Sequence, residues 1–139
     1  MLALTVYISG FVALAIAALL AFLCGGALER QAAGLIVLAW LASALAPVGD
    51  RIGPSWIIVG IDILLLVYLL YHAAFSGRLW PIAAAGFQLL ILATHAAFGL
   101  RPDLEQWGYF TAYYVWSWGV LAALAGGALM SRRAAARDR

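Results

Sequence analysis

Five long apolar runs, separated by short breaks, account for nearly the whole chain. The uncharged or nearly uncharged stretches are 2–28, 31–49, 52–77, 79–100 and 106–131. A membrane-spanning helix needs roughly 20 apolar residues, with a range of about 17–25. Four runs clear that length comfortably. The second is the shortest and contains Pro47, so the alternative is a four-span chain with 31–49 as a re-entrant or surface helix. Transmembrane β-strands would show alternating segments of about 10 residues, whereas these runs are continuous. The expected fold is therefore all-α: an integral membrane helical bundle of five transmembrane helices at about 4–28, 31–47, 56–76, 80–99 and 108–131. It forms a single transmembrane domain over 1–131, followed by a basic cytoplasmic tail at 132–139.

Composition agrees with the pattern. The chain is 67% hydrophobic and 10% charged, against about 45–50% and about 25% in soluble domains. The first run is read as a span rather than a signal peptide, because no basic segment precedes it and it is too long for an h-region. Cys24 follows the bulky Leu23, which argues against lipidation. A lone cysteine also excludes an internal disulfide or a cysteine-based metal cage.

The breaks predict turns. Leu28-Glu29-Arg30-Gln31 is short enough to force an antiparallel hairpin. Residues 48–55 are rich in turn formers, and 76–81 ends one helix with Gly77 and opens the next near Pro81. Asp103 and Glu105 precede the last helix, where acids favour the dipole. With the C-terminus inside, one face holds Arg30, Arg78, Arg132, Arg133, Arg137 and Arg139, and the other only Arg51 and Arg101. That imbalance predicts the N-terminus outside and the C-terminus in the cytoplasm.

Trp56, Trp80 and Trp107 fall at helix ends and are expected to anchor at the membrane interface. The first half of the last helix carries Tyr109, Phe110, Tyr113, Tyr114, Trp116 and Trp118, a surface suited to packing in the bundle or to a partner, lipid, quinone or pigment. Small residues recur every fourth position at Ser9, Ala13, Ala17, Ala21 and Gly25, and again at Gly119, Ala123, Gly127 and Ser131. Such ladders let helices approach closely, so these faces are expected to pack against each other or against a partner.

Asp62 is the one charged residue inside an apolar run. Counted from the shared turn, Asp62 and His95 lie at nearly equal depth on an antiparallel hairpin, and Gln88 shares the face of His95. The expected intramembrane polar seam is Asp62, Gln88, Thr94 and His95. Three roles compete for it: a structural pair, a contact with a partner subunit or its cofactor, and a proton or ion path. His72 and His95 are the candidate cofactor contacts. They differ in depth by about ten residues, or roughly 15 Å, which prevents both from holding one haem within this hairpin. No catalytic motif, metal cluster or phosphate loop is present. No resident cofactor is expected, although lipid, quinone, haem or bacteriochlorophyll could contact the bundle.

The stretch from Arg78 to His95, with its Trp80-Pro81 turn, Phe87-Gln88 pair and Thr94-His95 pair, resembles small uncharacterised multi-pass proteins of the bacterial inner (cytoplasmic) membrane. The resemblance covers the third and fourth helices and carries no assigned activity. It implies that Asp62, Trp80, Pro81, Gln88, Thr94 and His95 form one unit. The expected function is that of an accessory, non-catalytic, non-enzymatic subunit of a larger respiratory or photosynthetic membrane complex. Its partners would be other membrane subunits and membrane lipids, not nucleic acid. A small homo-oligomeric transporter or channel using Asp62, and a haem- or pigment-binding electron-transfer subunit, are the alternatives.

Overall fold

The computed structural model describes residues 2–46, 55–101 and 106–137. Five helices follow in order: α1 (Leu2–Cys24), α2 (Ala27–Leu45), α3 (Trp56–Phe75), α4 (Leu79–Leu100) and α5 (Gln106–Arg137). All are long and apolar enough to cross a membrane. The second run is thus a full-length helix. The loop at 47–54, with Pro47 and Arg51, the acids Asp103 and Glu105, and Arg139 lie outside the described residues.

Polarity is reversed relative to a water-soluble bundle. Leu23, Leu45, Leu64 and Val67 are exposed, whereas Glu29, Asp62, Gln88, His95 and Ser117 are buried. That is the arrangement a membrane favours, since lipid solvates an apolar exterior while polar side chains find partners only inside. Consecutive helices are neighbours, α5 closes the ring against α1, and α5 also touches α2. Two short turns, at 25–26 and 76–78, lie at one end with the C-terminus of α5; this is the turn end. The starts of α3 and α5 mark the opposite, loop end.

The first turn and the C-terminal end differ from the sequence expectation, while the second turn falls where expected. The first hairpin breaks at Gly25-Gly26 rather than at 28–31, which moves Glu29 into the first turn of α2. A Cβ on Gly25 would stand 2.4 Å from the Ala21 carbonyl oxygen and 2.6 Å from Glu29 Cβ, so only glycine fits there. The second turn places Gly77 at φ 67°, the left-handed conformation that ends helices. At the C-terminus, the helix runs on to Arg137 through what was expected to be a separate tail. Alanines favour that extension, and the basic residues complement the helix dipole.

Candidate functional site

Asp62 sits between two residues of α4. Gln88 donates its side-chain N–H to Asp62 Oδ1 at 2.8 Å, and His95 Nε2 lies 2.9 Å from Asp62 Oδ2. Gln88 and His95 are two helical turns apart on one face, so they reach the carboxylate from either side. All three residues are buried. The opposite ring nitrogen, His95 Nδ1, lies 2.8 Å from the Tyr109 hydroxyl on α5. With Nε2–H donating to the carboxylate, Nδ1 accepts from the Tyr109 O–H, and both ring nitrogens of His95 are used. Tyr109 also stacks on Phe98 at 4.5 Å, and Tyr113 lies against the His95 ring at 5.5 Å. The aromatic half of α5 thus divides: Tyr109 and Tyr113 close the polar row, while Phe110 and Trp118 face outward.

Thr94 lies apart from this row, because its hydroxyl donates to the Leu90 carbonyl of its own helix at 2.8 Å. This back-bond satisfies a hydroxyl in an apolar medium without a tertiary partner. Tyr109, which sequence reasoning left among the general aromatics, takes the place expected for Thr94. Its signal was its depth in α5, close to that of His95.

Glu29 builds a second buried cluster, at the turn end. Its side chain is fully buried and accepts from the Gly26 backbone N–H at 2.8 Å, from Trp80 Nε1 at 2.8 Å and from Arg78 Nη1. Arg78 also donates to Ser131 Oγ at 2.7 Å. Four elements meet here: the start of α2, the 76–78 turn, the start of α4 and the end of α5. The sequence expectation places Glu29 in the turn between the first two helices. The Gly-x-x-Glu spacing of Gly26 and Glu29 is the local signal for its actual position, a glutamate at the third helical residue reaching back to the cap.

Trp80 is correspondingly not an interface anchor. It is 6% exposed, whereas Trp56 and Trp107 are 79% and 59% exposed as such anchors require. Its indole donates to Glu29 and fills the space above Gly127, where a Cβ would lie 2.3 Å from the ring. Gly119 makes the same allowance for Phe87, at 2.5 Å. The ladder on α5 therefore receives aromatic rings of α4 rather than the backbone of α1; half-buried Ala123 lies between the two glycines. On α1, Ala17, Ala21 and Gly25 are buried, while Ser9 and Ala13 border an outward groove. The unit implied by the resemblance is split: Asp62, Gln88 and His95 form one cluster, Trp80 and buried Pro81 sit with or near the other, and Thr94 belongs to neither.

His72 packs edge-on against Tyr68 at 4.5 Å and Tyr71 at 5.1 Å, away from the Asp62 row. His95 engages a partner at each ring nitrogen, so ligating a haem or chlorin would break one of these bonds. Among the described residues no group of three His, Cys, Asp or Glu side chains could hold a metal ion. Comparison with protein-family models, curated proteins and solved structures finds no match.

A double-mutant cycle checks whether the Asp62 row is energetically connected. Asp62→Asn and His95→Ala, singly and together, are expected to be non-additive by about 1–2 kcal/mol in reversible unfolding from mixed micelles. Additive losses would contradict the coupling.

Proposed function

We propose that this chain is a non-catalytic accessory subunit of a larger membrane complex, docked through the outward face of α1. The observation that carries the reading is a groove of about 580 Å³ formed by Thr5, Ile8, Ser9, Val12, Ala13 and Ile16 with Trp118 from α5 as one wall. These α1 positions form one continuous helical stripe. Ser9 and Ala13 give it a low floor, and small residues in that position let another transmembrane helix approach closely. The rest of that ladder, Ala17, Ala21 and Gly25, is already buried within the bundle, so the groove is the part left for a partner.

The polar groups support this reading over a channel. The Asp62 and Glu29 carboxylates are both held by partners within the bundle. Between the two clusters lie buried apolar residues of four helices, among them Ile36, Leu69, Ala84 and Leu124. In native membranes, a photo-crosslinking residue at Val12 is expected to capture one distinct membrane protein, which co-purifies stoichiometrically after gentle solubilisation. Ala13→Phe should release that protein while the bundle stays folded. Crosslinks only to further copies of this chain, or only to lipid, would defeat the proposal.

A further inference from the structure

Beside Asp62, where α2, α3, α4 and α5 meet, lies a small, partly enclosed cavity of about 20 Å³. Ser43, Asp62, Gln88, Tyr113 and Ser117 supply its polar lining. A buried site accommodates a water when it offers at least about 10–15 Å³ and 2–4 polar partners. This cavity meets both conditions. Asp62 Oδ1 accepts from Gln88 and retains a second lone pair, and the Gln88 side-chain carbonyl is a further acceptor. Ser117 donates to the Tyr113 carbonyl at 2.7 Å, which leaves its oxygen able to accept.

The hydrogen-bonded row starts from the other side. Tyr109 lies in the first turn of α5, half-buried at the loop end, and the order runs Tyr109, His95, Asp62, cavity. Toward the turn end the polar lining stops. Trp80 is eight residues before Gln88 on α4, so roughly 12 Å of helix separates the cavity from the Glu29 cluster. Leu69, Ile36, Ala84 and Leu124 occupy that interval, together with Tyr68, whose buried hydroxyl has no hydrogen-bond partner among the described residues.

We infer that Tyr109, His95, Asp62 and one water in this cavity form a proton port. It opens at the loop end, is closed toward the turn end, and lets the bundle take up and release a single proton. This inference is independent of the docking reading. A proton arriving from the loop end bonds to the Tyr109 oxygen while Tyr109 passes its own proton to His95 Nδ1. His95 then releases its Nε2 proton to Asp62 Oδ2. The product is a neutral carboxylic acid, a neutral imidazole whose Nδ1–H donates back to Tyr109, and an intact phenol. One proton has entered, and the buried site has gone from one negative charge to none. The groups facing the row are Gln88 from α4, Tyr113 and Ser117 from α5, and Trp40 and Ser43 from α2 across the cavity. Among the described residues no other carboxylate and no guanidinium lines the cavity.

The test uses the full chain in proteoliposomes, with orientation read from label access to the basic C-terminal segment. Imidazole and carboxyl bands are followed by infrared spectroscopy after a pH jump on one face. The bands are expected to respond to a jump at the loop end and not at the turn end. Tyr109→Phe, which removes only the relay hydroxyl, should slow the response by about 10²-fold, the low end for a positioned proton-transfer group. Asp62→Asn should abolish the carboxyl response. In nitrogen-15 solid-state spectra, magnetisation from water should reach the Gln88 side-chain amide. Bands insensitive to pH, a response from the turn end, a wild-type rate in Tyr109→Phe, or no transfer from water to Gln88 would each overturn the port.

Discussion

Replacing Glu29 with alanine is expected to destabilise the bundle by about 3 kcal/mol, since each hydrogen bond to a charged group contributes about 1.5–3 kcal/mol and the contributions overlap. Glu29 accepts from the Gly26 backbone, from the Trp80 indole and from Arg78, which in turn holds Ser131. Truncation leaves the Trp80 N–H buried in an apolar medium, where an unsatisfied donor costs about 1–3 kcal/mol. Arg78 is partly exposed, with 40% side-chain accessibility, and can turn toward water, which keeps the total below the full cost of a stranded buried charge. Glu29→Gln preserves shape and an acceptor and should fall between wild type and alanine. Steric-trapping or mixed-micelle unfolding measures the series. A loss in Glu29→Ala no larger than that of exposed Arg30→Ala would show that the cluster does not hold the helices together.

Two adjacent glycines of α5 are expected to respond with opposite signs. At Gly126 an added Cβ meets nothing within 4 Å, so Gly126→Ala should stabilise by up to about 1 kcal/mol through helix propensity alone. At Gly127 the same methyl would lie 2.3 Å from Trp80 Cδ1 and 2.4 Å from Cγ. The ring cannot step aside freely, because it is buried and its Nε1 is held by Glu29. Overpacking costs about 1–3 kcal/mol, and displacing the indole also strains the Glu29 hydrogen bonds. Gly127→Ala should therefore destabilise by about 2 kcal/mol net of the propensity gain. Tryptophan fluorescence should change with it. Equal effects at the two positions would mean that the Trp80 contact does not govern this part of the α4–α5 interface.

The Asp62–His95 contact was legible in the sequence because hairpin arithmetic needs only a turn and a constant rise. Asp62 lies 13 residues before the end of α3 and His95 16 residues after the start of α4, so antiparallel helices bring them to within one turn of the same depth. Glu29 was not legible in the same way. It stands beside Arg30 at the edge of an apolar run, where hydropathy marks a break, and the deciding feature was the crowding at Gly25 that starts α2 earlier. Trp80 illustrates the matching difficulty. A tryptophan at a helix end suits the interface and the core equally by sequence, and only Glu29 and Gly127 settle which way it faces.

By itself the sequence determined the all-helical class, the five apolar spans and the axial depth of each polar residue. These follow from run length and helical rise, which one segment sets without its neighbours. Only the tertiary structure decided the rotation of each helix about its own axis. It selected Tyr109 rather than Thr94 to complete the Asp62 row, directed Trp80 inward, and turned the α5 glycines toward the rings of α4. The physical reason is that lipid and protein core are equally apolar. A helix that is hydrophobic all round carries no stripe to mark its inner face, so close packing and the need to pair a few buried polar groups choose that face instead.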